Sequence, residues 1–297
     1  MGCHSVRERA AQSSAECSDL CRQAIVAHEN GEKQAAERLV EQALQQRPEE
    51  TEARAKLAET LWQVGRQDES LRELGQLARE SRTDVKLLAR YAKALCETRQ
   101  FAEADLWAQS ALSVDPVNLD ALLVRARCAQ AREDYPAAIA AYLELLQVAP
   151  EHSEALLGMA QVQIARGQPE LAAPVLRSLL QHPFAPTALR LEAEWSLGEA
   201  YLASGRWEDA ARSLEASIAR RPSTAEDWCQ LANAQVQSGQ SAAATVSLQR
   251  AFQLDGRNLR ARQLADELAQ RAEPADIQPA QFSKPTATAS EPPAELR

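Results

Sequence analysis

Apolar and polar positions alternate most regularly between Trp195 and Pro222. Leu197, Gly198 and Tyr201 recur at the spacing of one helical face, and Trp207, Ala210, Leu214 and Ile218 mark a second face after a break. Gly205-Arg206 supplies the break, because glycine reaches positive φ without steric cost. Pro222 ends the second run, since its ring neither fits a helix interior nor donates to its ladder. The stretch predicts two short amphipathic helices joined by a tight turn.

The same pattern recurs along the chain. Counted from Leu191, the eighth position reads Ala24, Ala58, Ala92, Ala126, Ala160, Gly198 and Ala232. The twentieth reads Ala36, Ser70, Ala104, Ala138, Ala172, Ala210 and Ala244. All are small, as two closely approaching helices require. The turn position holds Gly31, Gly65, Arg99, Glu133, Gly167, Gly205 and Gly239, and the stop position Pro48, Arg82, Pro116, Pro150, Phe184, Pro222 and Gly256. Repeats start at 17, 51, 85, 119, 153, 191 and 225, a 34-residue period with one four-residue insertion. This register resembles the tetratricopeptide repeat, a helix–turn–helix unit of that length. The resemblance covers about residues 17–272. It implies an all-α fold: a right-handed superhelical solenoid of antiparallel helix pairs, in which each repeat contacts mainly its neighbours.

Departures from the pattern bound the rest. Residues 1–16 are polar and lack a clear period, which predicts an N-terminal arm or an irregular lead-in helix. Repeat two is the weakest, with Arg54 at the usually apolar fourth position and Arg82 in place of the stop proline. The insertion lies at 181–190, where Thr187 after Pro186 is a candidate N-cap. It would add a turn to the front of the next helix, as a tolerated insertion or as a hinge. Residues 258–272 predict a terminal helix with Leu259, Leu264 and Leu268 inward, a polar-backed cover for the last repeat. Five prolines between Pro274 and Pro293 predict a disordered tail over 273–297.

Charge narrows the choice of partner. The net charge is −9, which argues against a nucleic-acid binder, because that role needs a basic field. No apolar run is long enough to cross a membrane. The six cysteines form no CxxC pair, which predicts free thiols and a reducing, cytoplasmic setting.

The chain carries no phosphate-cradling loop, no G-x-S-x-G, no H-E-x-x-H and no dinucleotide fingerprint. An enzyme is not expected, nor a cofactor. Cys17, Cys21 and His28 share a helical stripe, but a structural zinc site wants four ligands, so ordinary packing is expected and no metal. Glu52, Asp120, Glu154, Glu192 and Glu226 all stand second in their repeats, where a helix N-terminus favours acids without any function.

What remains is a surface. In the tetratricopeptide family the first helices line a concave groove, and the second, fifth, ninth and twelfth positions commonly face it. Carried onto this chain, the resemblance places Lys86 and Lys93 there, with Arg90 close by and Arg127 beyond: a basic cluster in an acidic protein. It also places Trp62, Leu123, Leu157, Ile164, Trp195, Leu202 and Val236 in the groove, an apolar strip with Trp195 as its main anchor. Lys86 and Arg90 match a pair of the carboxylate clamp with which some family members hold chaperone tails. Ile25 and Lys56 stand where that clamp needs Asn, so tail binding of that kind is not expected. The resemblance implies a non-catalytic scaffold that binds a protein or peptide partner in the groove. The alternative is an envelope-anchored assembly factor resembling pilotin lipoproteins, membrane-associated through Cys3. It rests on Met1-Gly2-Cys3 and needs a signal segment upstream of this start.

Overall fold

The computed structural model describes residues 2–46, 50–183 and 185–271, with side chains from residue 11 onward. Among the described residues every regular element is a helix. They fall into two compact blocks that divide between Gly158 and Met159. The first block holds α1 (Gly2–Glu29), α2 (Lys33–Gln46), α3 (Thr51–Gln63), α4 (Gln67–Glu80), α5 (Val85–Glu97), α6 (Phe101–Val114), α7 (Leu119–Ala131) and α8 (Tyr135–Val148). Helix α9 (Ser153–Ala165) begins in it and ends in the second block. The second block continues with α10 (Pro169–Gln181), α11 (Thr187–Ala203), α12 (Trp207–Ile218), α13 (Ala225–Gln237), α14 (Ser241–Leu254) and α15 (Leu259–Arg271).

Helices pair in sequence order, α1 with α2, α3 with α4, α5 with α6 and α7 with α8 in the first block, and α11 with α12 and α13 with α14 in the second. First helices also touch across repeats, α1 on α3, α5 on α7 and α13 on α15. The small residues explain the close approach. Every alanine at positions eight and twenty is at most 1% exposed. Ser70 is equally buried and its hydroxyl donates to the Ala58 carbonyl at 2.6 Å, which satisfies a group that burial would otherwise penalise. Gly198 has no room for a side chain, because a Cβ there would lie 2.6 Å from Leu214 Cγ.

The period survives in the helix starts: α3, α5, α7, α9, α13 and α15 begin at 51, 85, 119, 153, 225 and 259. Local caps set several of these starts. Asp84 accepts the backbone N–H groups of Lys86 and Leu87, Asn118 that of Ala121, and Asn258 that of Ala261. Thr224 and Asp227 form a reciprocal capping box at α13. The turn position takes positive φ in all seven repeats, including Arg99 at 62° and Glu133 at 59° where no glycine is present.

Several expectations need correction or placement. Helix α1 runs unbroken from Gly2, so the polar lead-in is helical and continuous with repeat one. The insertion does add a turn, since α11 has 17 residues where α9 and α13 have 13. Its N-cap is Pro186, however, and Thr187 is already helical and makes no capping bond. Leu259 is 72% exposed, and Ala261, Leu264, Ala265 and Leu268 form the buried face of α15 instead. Arg54 is accommodated by ion pairs to Glu80 at 2.7 Å and Glu73 at 3.4 Å. Pro48, Phe184 and the tail from 273 lie outside the described residues. Among those described, no helix is long and apolar enough to cross a membrane.

Candidate functional site

The first-helix positions separate by exposure. Position five is buried in most repeats: Ala55, Ala89, Leu123, Leu157 and Cys229 are all nearly inaccessible. Leu123 at 5% and Leu157 at 4% are core residues of the first block, and Val236 at 3% is core in the second. The apolar strip read from the sequence is therefore not an open surface at these three residues. First helices of adjacent repeats touch, and a large apolar side chain between them is covered. Trp62 is half-buried and packs against the cluster formed by Ala58, Leu88, Ala92 and their neighbours. Ile164 and Leu202 are half-buried.

Trp195 is also only half-buried, but its ring is already occupied. The Arg221 guanidinium lies 4.3 Å from the ring centroid, a cation–π arrangement. Glu199 follows one turn on along α11, and the indole N–H favours its ionised form. Arg221 in turn pairs with Asp227 at 3.2 Å. Burial raises the Glu199 carboxyl above the ordinary carboxylate range, against the opposing pull of the Trp195 N–H, Arg221 and a Gln230 hydrogen bond. Trp195 thus belongs to a polar network tying α11 to α13. Glu199 is the ninth residue of its repeat, a groove position that an apolar search passes over.

Positions two and nine are exposed or half-buried in every repeat. On α5, Lys86, Arg90 and Lys93 are all exposed and follow at i, i+4 and i+7, one face of one helix. Among the described residues, none of these three cations forms an ion pair. Arg127 on neighbouring α7 behaves differently: it pairs with Glu154 at 2.8 Å and so leaves the free cluster. Its partner lies 27 residues on, the second residue of the next repeat. Among the described residues, Glu97 and Asp120 form no ion pair with the α5 cations, and the Asp84 carboxylate caps the start of the helix. The candidate site is the solvent face of α5, bordered by Arg127 and Glu154.

Other candidate chemistry is weaker. Cys17 and Cys21 stand one turn apart in α1, and each perturbs the other's thiol, which lowers Cys21 to about 7 and raises Cys17. His28 does not complete a metal set, and no group of three or more His, Cys, Asp or Glu suited to a metal occurs among the described residues.

Models of the tetratricopeptide repeat match residues 27–86, 90–147 and 123–188, together more than half of the chain. The chain belongs to the tetratricopeptide repeat family. A model described as a bacterial transcriptional activator domain matches residues 166–275, within the second block. No curated protein matches the chain. Among solved structures, it is similar to a tetratricopeptide repeat protein from Parabacteroides merdae, with 15% identity, 86% of this chain and 99% of that one covered, and a TM-score of 0.59. It is similar to pilF of Pseudomonas aeruginosa, with 15% identity, 73% and 97% coverage and a TM-score of 0.62. A third likeness is to YrrB, described as a tetratricopeptide repeat protein with an unusual peptide-binding site, at 17% identity, 65% and 97% coverage and a TM-score of 0.54. At these identities the likeness establishes the fold of this repeat protein and nothing finer.

Proposed function

We propose that this tetratricopeptide repeat protein is a non-catalytic interaction scaffold whose α5 face holds an acidic or carboxylate-bearing segment of a protein partner. The observation that carries the reading is the set of three exposed, unpaired cations, Lys86, Arg90 and Lys93, on one helix of a chain with net charge −9. In an acidic protein, a cationic face left without internal partners is available to an external anion. It would attract an acidic partner selectively and speed its arrival more than it would deepen the complex. YrrB, of similar fold, is described as having a peptide-binding site, which favours a peptide segment as the occupant.

The reading is tested with a fluorescent peptide of consecutive Glu residues and an isosteric Gln control. Binding of the Glu peptide, absent for the Gln peptide and weakened about tenfold or more by Lys86→Glu with Lys93→Glu, is the expected result, at roughly 0.5–1 kcal/mol per exposed charge removed plus the new repulsion. Equal affinity for both peptides, or no change in the double variant, would remove the α5 face from the account.

A further inference from the structure

The free cations of α5 stop at Arg127, and an ion pair between repeats stops them. Position nine of one first helix and position two of the next form a series of rungs. Their residues are Glu59 and Lys86, Lys93 and Asp120, Arg127 and Glu154, and Gln161 and Glu192. The first three rungs bring opposite charges to the same two positions. Among the described residues, neither Glu59 with Lys86 nor Lys93 with Asp120 forms an ion pair. The third rung does close: the Arg127 guanidinium donates to the Glu154 carboxylate at 2.8 Å. The fourth is closed by the Gln161 amide, which donates to Glu192 at 2.9 Å. Lys86 and Lys93 thus belong to open rungs, and Arg127 to the first closed one. The difference follows from the cation, because the planar fork of arginine matches a carboxylate where lysine remains a hydrated point charge.

The closed rung is placed for exchange. The Arg127 and Glu154 side chains are 39% and 35% exposed, so an anion in solvent can approach both. An ion pair this exposed adds little to stability, and little is lost when it opens. Helix α7, which carries Arg127, packs on α5. Packed helices lie about 8–10 Å apart, a distance that about three residues of an extended segment cover.

We propose that Glu154 is an internal competitor for the ligand carboxylate, holding Arg127 until an acid group of a bound segment replaces it. The proposal rests on the reading of α5 as the face for an acidic segment. It adds Arg127 as a fourth cation and names Glu154 as the residue that limits affinity. In the exchange one Arg127–carboxylate contact breaks and another forms. The released Glu154 carboxylate stays in the first turn of α9, where the positive end of the helix favours it. A segment with acids over α5 alone gains nothing from Arg127. A partner whose acidic stretch spans α5 and α7 does, so Glu154 sets a preference for longer acidic stretches.

The experiment measures the affinity of the fluorescent Glu peptide, with its Gln control, at low salt. Four full-length proteins are compared: the unsubstituted chain, Glu154→Gln, Arg127→Gln and the double variant. Both side chains lie at the surface and glutamine keeps a polar end, so the fold is retained. Glu154→Gln is expected to bind the Glu peptide about threefold or more tighter than the unsubstituted chain, because Arg127 has lost its rival carboxylate. In the Arg127→Gln background the same substitution should change affinity by less than about twofold. Binding of the Glu peptide with no gain from Glu154→Gln would overturn the proposal and leave the α5 face standing. An equal gain with and without Arg127 would also overturn it, since Glu154 would then act only as a distant charge. Failure of all four proteins to bind the Glu peptide would overturn this proposal and the α5 reading together.

Discussion

At the scale of single residues, the close approaches are held by glycine and alanine, and a buried polar group such as Ser70 is answered by a backbone carbonyl. Gly198 is the sharpest case. A methyl group there meets Leu214, so Gly198→Ala is expected to destabilise by about 1–3 kcal/mol through overpacking, measured by urea unfolding. Adding Leu214→Val should recover part of that loss, because the two residues share one space and their effects will not add. Full additivity would place the strain elsewhere. Arg99 and Glu133 hold a left-handed backbone at a cost that glycine avoids. Glu199 gives a pH test. Its carboxyl titrates above the ordinary value of 4.5 in the folded state, so the ionised form is disfavoured there. The sign follows: stability rises as pH falls through the folded midpoint toward 4.5, and is lower at neutral pH. Glu199→Gln should raise Tm at neutral pH and shrink the gain seen on acidification. A uniform fall in Tm at every pH would instead make the carboxylate a required acceptor for Trp195.

At the scale of helices, the repeat was legible because its constraints are local. Small residues at positions eight and twenty, turn residues and N-caps act within one helix pair, so their spacing alone announces them. What was not legible depends on a neighbouring repeat. Leu123 and Val236 look like surplus apolar residues until an adjacent first helix covers them. Arg127 looks free until Glu154 is seen beside it. One such relation does repeat. Position four pairs with position thirty of the same repeat, as Arg54 with Glu80 in repeat two and, with charges exchanged, Glu194 with Arg220 at 2.6 Å in repeat six. Repeats three and four place Leu88 with Val114 and Leu122 with Val148 at these positions. Replacing Arg54 by Leu together with Glu80 by Val is therefore expected to be neutral or stabilising, since a half-exposed ion pair contributes about 0–1 kcal/mol. A loss above about 2 kcal/mol in thermal or urea unfolding would show that the pair does more than fill its position.

At the scale of the whole molecule, an acidic chain presents on α5 three exposed cations that form no ion pair among the described residues, and the account stands on that contrast. The helical scaffold places Lys86, Arg90 and Lys93 at one turn's spacing on α5 and leaves them in solvent, while neighbouring Arg127 is consumed by Glu154. Screening then becomes the diagnostic, because exposed charges lose their reach as the Debye length falls from about 30 Å at 0.01 M salt to about 8 Å at 0.15 M. The most direct measurement is the affinity of an acidic peptide across that salt range, for the unsubstituted chain and for a variant carrying Lys86→Gln, Arg90→Gln and Lys93→Gln. The account predicts affinity that falls steeply with salt in the former and a weak, nearly flat dependence in the latter. Parallel salt curves for the two proteins would contradict it.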